Sequence, residues 1–219
     1  MKRQIDINEI SDGKKYTHKD MVRLGCSDCE GCSACCRDME STVLDPWDIW
    51  QLTGHLQCSF EQLLEKYVEL RIADGLILPH LKMDGRDRSC HFLNEAGRCS
   101  IHKARPGVCR LFPLGRLYEG DGFSYFLQIY ECRKENRSKV KIEKWLGIAG
   151  IARYEAYIIK WNGLLKQLEE ALEALDDSQI RTLQMFCIRT FFSTPYRETD
   201  FYAQFDDRYR QFKSTLGME

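Results

Sequence analysis

Four cysteines occupy eight residues near the start of the chain, in the stretch "CEGCSACC". They are Cys29, Cys32, Cys35 and Cys36, and Cys26 lies three positions before the first of them. Thiolates are the ligands of structural zinc and of iron–sulfur clusters, and gaps of two residues let neighbouring thiols reach one metal. The stretch therefore predicts metal chemistry.

The spacing of these thiols indicates which kind of metal centre they could form. From Cys26 to Cys36 the gaps of two, two and three residues match the cluster-binding run of bacterial ferredoxins, except that Arg37 stands in place of proline. Successive side chains diverge in extended and in helical backbone, so Cys35 and Cys36 are expected to serve different sites. The adjacent pair is either a bridge between two metal centres or one ligand beside a packed thiol. A single centre with a spare buried cysteine is the alternative.

A second group of thiols follows in the middle of the chain. Its members are Cys90, Cys99, Cys109 and Cys132. Four plus four thiols would supply two four-coordinate centres, whose net negative charge needs balancing cations. Residues 82–116 contain eight Lys or Arg against three Asp or Glu, and Arg105 and Arg110 are candidates for that balance.

Two histidines lie near the second group of thiols. We expect His91 and His102 either to donate hydrogen bonds around the metal or simply to pack, rather than to bind it, because four thiols already complete each centre. Cys58 and Cys187 are expected to be core thiols. Metal is favoured over disulfides because the eleven cysteines are an odd number and no apolar segment follows the first basic residues.

The bulk composition excludes several classes of protein. The 219 residues are 43% hydrophobic, and the formal net charge is -1. No apolar run reaches the roughly 20 residues of a membrane helix, and a dominant nucleic-acid surface would require a basic excess. We therefore expect a cytoplasmic protein that binds neither a membrane nor nucleic acid.

Periodicity indicates the elements that must position the thiols. "LDPWDIWQLTG" predicts a helix with Asp45 as N-cap and Pro46 in the first turn, and "SFEQLLEKYVEL" predicts a second helix capped by Ser59. Short apolar runs separated by turn signals, among them "LILPHL", "CHFL" and "FSYFLQIYE", predict antiparallel hairpins over residues 76–131. "KIEKWLGIAG" predicts a short helix, and longer helices are predicted at 153–175, 178–192 and 199–216.

Together these patterns predict an α+β fold. A small cysteine-rich, metal-binding module of short helices and antiparallel hairpins precedes an α-helical C-terminal segment. The predicted divisions are an N-terminal extension at 1–25, a cysteine-cluster domain at 26–136 and a helical region at 137–219 that packs on it.

Three strings carry a resemblance to a known family: "CEGCSACC", "CHFLNEAGRCSIHKARPGVCRLFPLG" and "ECR". They closely resemble the YkgJ-type proteins, the CxxCxxCC cysteine-cluster family described as zinc- or iron-chelating. The resemblance covers roughly residues 26–136 and implies eight metal ligands. Those ligands are Cys29, Cys32, Cys35, Cys36, Cys90, Cys99, Cys109 and Cys132. Cys26 departs from this pattern, which leaves open whether it replaces Cys35.

The resemblance also frames the functional alternatives. The family includes flagellin lysine N-methylases, which implies S-adenosylmethionine and a protein substrate by analogy alone, since the chain has no G-x-G-x-x-G loop and no C-x3-C-x2-C triplet. The favoured function is a metal-binding protein with one or two centres. Iron–sulfur is preferred to zinc because of the thiol-only ligands and the ferredoxin-like spacing. The alternatives are a protein-lysine methyltransferase or redox protein, and a structural zinc module that binds a protein partner; whether the chain is an enzyme stays open.

Overall fold

The structure is a computed structural model that describes most of the chain. The described residues are 6–25, 33–37, 39, 42–132, 134, 136–197 and 200–218. Tertiary contacts divide the chain into two compact units, the first formed by Met1–Thr42 with Met83–Ile159 and the second by Val43–Lys82 with Lys160–Glu219. The predicted domain boundaries after residues 25 and 136 both lie inside the first unit, and they stay predictions.

Helices and short antiparallel strand pairs make up the structure, which confirms the α+β class. The helices are α1 (Ile7–Ile10), α2 (Pro46–Leu56), α3 (Phe60–Lys66), α4 (Gly107–Leu111), α5 (Ile142–Leu146), α6 (Ile151–Leu172), α7 (Asp177–Ile188) and α8 (Phe201–Leu216). The strands are β1 (Met21–Gly25), β2 (Val68–Ala73), β3 (Leu76–Leu81), β4 (Leu114–Glu119), β5 (Gly122–Leu127) and β6 (Ser138–Lys141). No helix within the described ranges is both long enough and apolar enough to cross a bilayer.

Both helix starts predicted from capping residues are confirmed. The Asp45 carboxylate accepts from the N–H of Asp48 at 2.9 Å, and the Asp48 carboxylate accepts from the N–H of Asp45 at 3.1 Å. Ser59 and Gln62 exchange the equivalent pair of hydrogen bonds at the start of α3. Each pair satisfies backbone donors that the first turn of a helix leaves unpaired.

The second predicted helix is too long. Helix α3 ends at Lys66, and Val68–Ala73 forms strand β2 instead of the continuation that "YVEL" indicated. Six consecutive residue pairs join β2 to β3 in an antiparallel hairpin, from Val68 opposite Leu81 to Ala73 opposite Leu76. Pairing with β3 overrides the local helical preference of this segment.

The predicted hairpins are confirmed in part. "LILPHL" forms β3, and "FSYFL" forms most of β5, which pairs with β4. "CHFL" forms no strand: it lies in turns, and Leu93 makes an isolated bridge with Cys99. The sequence did not predict the pairing of β1 with β6, in which Met21 lies opposite Lys141.

The first unit places one end of the thiol region against its helices. The indole N–H of Trp145 in α5 donates to the carbonyl of Phe112 at 3.0 Å. The buried Arg110 of α4 donates to the carbonyls of Leu146 and Gly147, which end α5. These bonds fix α4, and with it Cys109, relative to α5.

The second unit is built around an aromatic core. The predicted C-terminal helices are present as the last part of α6, as α7 with a π-helical continuation at Arg189–Ser193, and as α8. Phe191 is fully buried, and its ring centroid lies 5.2 Å from that of Trp161 and 5.0 Å from that of Phe212. Such ring pairs add to the stabilisation that burial of apolar area provides.

Candidate metal centre

Six of the eight predicted thiol ligands lie within the described residues. They are Cys35, Cys36, Cys90, Cys99, Cys109 and Cys132. Cys26, Cys29 and Cys32 lie outside the described residues. All eight cysteines of the described ranges are free thiols.

A short backbone pairing joins the two groups of thiols. The N–H of Cys90 donates to the carbonyl of Cys36 at 2.8 Å, and Arg37 forms an isolated antiparallel bridge with Ser89. The guanidinium of Arg37 also lies 3.6 Å from the carboxylate of Asp87. These contacts bring the first thiol segment beside the second although more than fifty residues separate them in sequence.

A tight loop precedes Cys90. The N–H of Gly85 donates to the carbonyl of Ser89 at 3.0 Å. A Cβ atom on Gly85 would lie 2.5 Å from the hydroxyl oxygen of Ser89 and 2.9 Å from its carbonyl oxygen. A larger residue would therefore force this loop open and shift the segment that carries Cys90.

Five thiols from both groups interact through their charges. Cys36 interacts with Cys35, Cys90 and Cys109. Cys99 interacts with Cys35 and with Cys90. Thiols of the first group therefore lie near thiols of the second group.

Cys35 and Cys36 also contact each other, and they titrate as a pair. The thiol of Cys36 donates a hydrogen bond to the sulfur of Cys35, which lowers the pKa of Cys35 and raises the pKa of Cys36. The pair consequently loses its first proton readily and its second with difficulty. Metal bound to the sulfurs would remove that resistance, because a cation stabilises a thiolate.

Cys90 and Cys99 share a local geometry. Burial raises the pKa of each thiol, and in each case a backbone N–H two residues later donates to the sulfur and opposes the rise. The donors are the N–H of Phe92 for Cys90 and the N–H of Ile101 for Cys99. N–H donors stabilise a thiolate whether it is free or bound to metal.

The two candidate arginines have different surroundings. The positive charge of Arg105 helps to lower the pKa of Cys35 and of Cys99, and its Nε is buried without a hydrogen-bond partner. The guanidinium of Arg110 donates to the carbonyls of Lys103 and Arg105 as well as to the end of α5. Arg105 therefore lies close enough to Cys35 and Cys99 to affect their pKa values, whereas Arg110 bonds to the carbonyls of the loop.

The two candidate histidines lie beside charged side chains. The Nδ1 atom of His91 lies 2.8 Å from the carboxylate of Asp84, which also raises the pKa of Cys90. His102 is exposed, and burial of part of its ring, together with the charges of Arg105 and Arg110, lowers its pKa. A lowered histidine pKa leaves a neutral ring near neutral pH.

The remaining cysteines differ in burial. Cys132 follows β5 and is half-buried. Cys187 is buried in α7, as expected of a core thiol. Cys58 is only half-buried at the connection between α2 and α3.

The donor types fit a thiolate-bound metal. Soft thiol ligands, N–H donors to sulfur and a nearby guanidinium are the surroundings that zinc and iron–sulfur sites use. Within the ranges that the structure describes, no three His, Cys, Asp or Glu side chains are arranged to hold one ion. A complete ligand set for one ion would therefore need a rearrangement of these thiols or a contribution from the cysteines outside those ranges.

Sequence reasoning missed a second polar cluster in the first unit. The Nδ1 of His18 lies 2.9 Å from the carboxylate of Glu155, which accepts a hydrogen bond from the hydroxyl of Tyr125 at 2.9 Å. Arg116 donates to the hydroxyl of Tyr154 at 3.3 Å. The sequence signal that came closest to revealing this cluster was the presence of a polar residue within an apolar run. No local spacing linked the residues of the cluster to one another.

Comparison with known proteins supports the thiol chemistry. No solved structure matches the chain. The uncharacterized protein MJ0661 of Methanocaldococcus jannaschii is 31% identical over 86 residues, which cover 39% of this chain and 43% of that protein. The chain thus spans less than half the length of this curated relative. Residues 28–141, just over half of the chain, match the family described as "CxxCxxCC: Putative zinc- or iron-chelating domain". The chain therefore belongs to the CxxCxxCC family.

Proposed function

We infer that this chain binds zinc or iron through thiolates drawn from both cysteine groups. The observation that carries the proposal is the backbone pairing of Cys36 with Cys90, which places the two groups side by side. Electrostatic interactions among five thiols support the same conclusion. Thiols that raise one another's pKa are stabilised together when a cation replaces their protons.

The adjacent pair is the centre of the proposed arrangement. We propose that Cys36 shares one centre with Cys90 and Cys109, whose charges raise its pKa, and that Cys35 shares the other with Cys99. We propose that Cys29, Cys32 and Cys132 complete the ligand set that the family resemblance implies. Eight thiolates supply two four-coordinate centres, with Cys35 and Cys36 at the point where the centres meet.

Iron–sulfur clusters suit this ligand set better than isolated zinc ions. The proposed ligands are all thiols, and N–H groups donate to the sulfurs of Cys90 and Cys99. Hydrogen bonds to sulfur tune the reduction potential of a cluster, whereas they add less to a zinc site whose role is structural. Bound metal would cross-link the loops in either case, and clusters would add electron transfer.

The test is metal and sulfide analysis with an ultraviolet–visible spectrum on full-length protein purified without oxygen. We expect iron and sulfide in near-equal amounts and a broad visible absorption that bleaches on reduction. The variant C109S should lose metal and solubility together, because it removes one thiol of the interacting group. The matched control is C58S, which changes a half-buried thiol outside that group and should keep the metal.

The outcomes separate the alternatives. Zinc without a visible band would keep thiolate binding and replace clusters with a structural zinc module that binds a protein partner. A soluble, fully metallated C109S protein would remove Cys109 from the ligand set. Wild-type protein without bound metal after anaerobic purification and reconstitution would overturn the proposal. If clusters are present, calorimetric titration with S-adenosylmethionine tests the methyltransferase alternative.

A further inference from the structure

Strand β2 has one open edge. Six consecutive residue pairs join its other edge to β3, and no strand in the described part of the chain pairs with the open one. The outer edge of β3 is covered, since the N–H of Leu44 donates to the carbonyl of Pro79 at 2.8 Å and Val43 forms a bridge with His80. The hairpin thus offers a single free row of backbone donors and acceptors.

Hydrogen bonding in the hairpin shows which residues face that open edge. The carbonyl of Pro79 is directed to Leu44, away from β2, and proline has no N–H. Pro79 lies opposite Leu70, so this is a pair in which both backbones point outward. Backbone direction alternates along a strand, and therefore Val68, Leu70 and Ile72 direct their N–H and C=O groups to the open edge.

The side chains of β2 divide into an apolar face and a charged face. Val68, Leu70 and Ile72 share the apolar face, on which Leu70 is 42% and Ile72 is 74% exposed. Glu69 and Arg71 share the other face, and their charged groups lie 2.7 Å apart. The strand contains no bulge, lysine or proline, which are the usual protections of an edge strand. A regular edge with exposed apolar side chains favours pairing with another strand.

We propose that β2 pairs with β2 of a second copy of this chain, antiparallel, about a two-fold axis at Leu70. The two-fold axis of such a pair is perpendicular to the sheet, and residues directly opposite each other point to the same face. The axis must therefore pass through a residue position. The charge pattern of β2 decides which position that is.

Charge complementarity selects the register centred on Leu70. In that register Glu69 of each copy lies opposite Arg71 of the other, so two ion pairs form across the axis. Registers centred on Glu69 or on Arg71 would instead place like charges directly opposite each other. The sequence "VELRIA" is thus self-complementary in one central register.

The same register also pairs the backbone hydrogen-bonding groups and the apolar side chains of the two strands. Leu70 lies opposite Leu70 of the second copy, and Val68 lies opposite Ile72. All of these residues direct their backbone groups to the open edge, so each pair exchanges two hydrogen bonds. The strands are short, and we therefore expect a reversible, concentration-dependent dimer rather than an obligate one. The interface uses residues of the second unit and no thiol, so it is independent of the metal.

Charge exchange between Glu69 and Arg71 tests the register. Sedimentation equilibrium of the full-length protein should show dimers that increase with concentration. Each single exchange, E69R or R71E, places like charges opposite each other and should raise the dissociation constant at least about tenfold. The double exchange E69R/R71E restores opposite charges across the axis and should recover most of the dimer. The matched control is R181E, a charge reversal on the exposed face of α7 that should leave dimerisation unchanged.

A fourth variant and a second measurement guard against a misfolded hairpin. The variant I72K keeps both charges, changes a side chain that is mostly exposed, and should also weaken the dimer. Hydrogen exchange of the Leu70 and Ile72 amides should slow as concentration rises, while the amides of Glu69 and Arg71, which face β3, should not change. A monomer at roughly millimolar concentration would overturn the proposal. So would a folded double variant that fails to recover the dimer, or a dimer that none of the substitutions in β2 weakens.

Discussion

The thiol-bearing segment at residues 83–113 and the aromatic core of the second unit are stabilised by different contacts. The segment is built from turns, short 3₁₀ helices and isolated bridges, with α4 as its longest regular element. Hydrogen bonds join it to other segments, as between Cys90 and Cys36. In the second unit, fully buried rings such as Phe191, Phe205 and Phe212 pack between regular helices.

The difference indicates what each region needs in order to fold. Burial of large apolar side chains stabilises the aromatic core without a ligand. Loops with little regular structure gain less from burial, and in small metal domains the binding free energy of the metal supplies the remainder. The first region is thus expected to depend on metal, and the second is not.

Removal of the metal should produce the largest effect, and that effect should be confined to the thiol-bearing segment. In protein treated with a reductant and a chelator, amides of residues 83–113 should exchange at least about tenfold faster, because local unfolding is no longer opposed by metal binding. Amides around Phe191 should keep their protection. Hydrogen exchange with mass spectrometry measures both. Equal loosening of the two regions would remove the distinction between them.

Truncation of a side chain in the aromatic core should give the opposite result, which is a loss of stability without a loss of metal. Phe191 is fully buried against Trp161, Phe205 and Phe212, so F191A should lower the free energy of unfolding by about 3–5 kcal/mol. Metal content per folded molecule should not change. Urea unfolding and metal analysis measure the two quantities.

A control for the core substitution lies in the preceding helix. Met185 of α7 is exposed, and M185A should change the stability by less than about 0.5 kcal/mol. Loss of metal in folded F191A protein would contradict the proposed independence of the aromatic core from the metal.

A smaller effect is expected from pH and concerns His80 in β3. His80 is 4% exposed, and neither ring nitrogen has a hydrogen-bond partner. Burial lowers its pKa, with a further contribution from Arg71 and an opposing one from Glu69. A lowered pKa means that this group contributes stability above the ordinary histidine pKa near 6.5 and that the stability is lost as the pH falls. The variant H80L should therefore lose less stability than the wild type between pH 7 and pH 5.

Thermal unfolding over that pH range measures the effect. The exposed His55 of α2 gives the matched control H55L, which should follow the wild-type profile. Identical acid sensitivity of H80L and the wild type would show that protonation of His80 does not limit stability.

Local sequence patterns predicted the secondary structure well where interactions between nearby residues determine it. Asp45 and Ser59 were identified as N-caps because a capping box involves residues three positions apart. The end of α3 was placed wrongly because the pairing of Val68 with Leu81 depends on the turn between β2 and β3. The pairing of β1 with β6 joins distant segments, and no local pattern contained it.

The candidate site shows the same difference between features that the local sequence predicts and features that depend on distant contacts. Cysteine types and spacing predicted thiolate metal chemistry, and the family match supports zinc or iron binding in general terms. The sequence did not contain the proximity of Cys36 to Cys90, or the closeness of Arg105 to Cys35 and Cys99. Arg105 and Arg110 looked equivalent in the sequence, and the carbonyls around Arg110 help to distinguish the two.

The sequence by itself determined the donor chemistry, the helix caps and the α+β class, because residue type and short-range periodicity encode them. The tertiary structure decided which thiols become neighbours, which arginine lies beside them and which edge of the hairpin stays open. Those features depend on contacts between residues far apart in sequence, and such contacts form only when the chain buries its apolar surface and satisfies its backbone hydrogen bonds together.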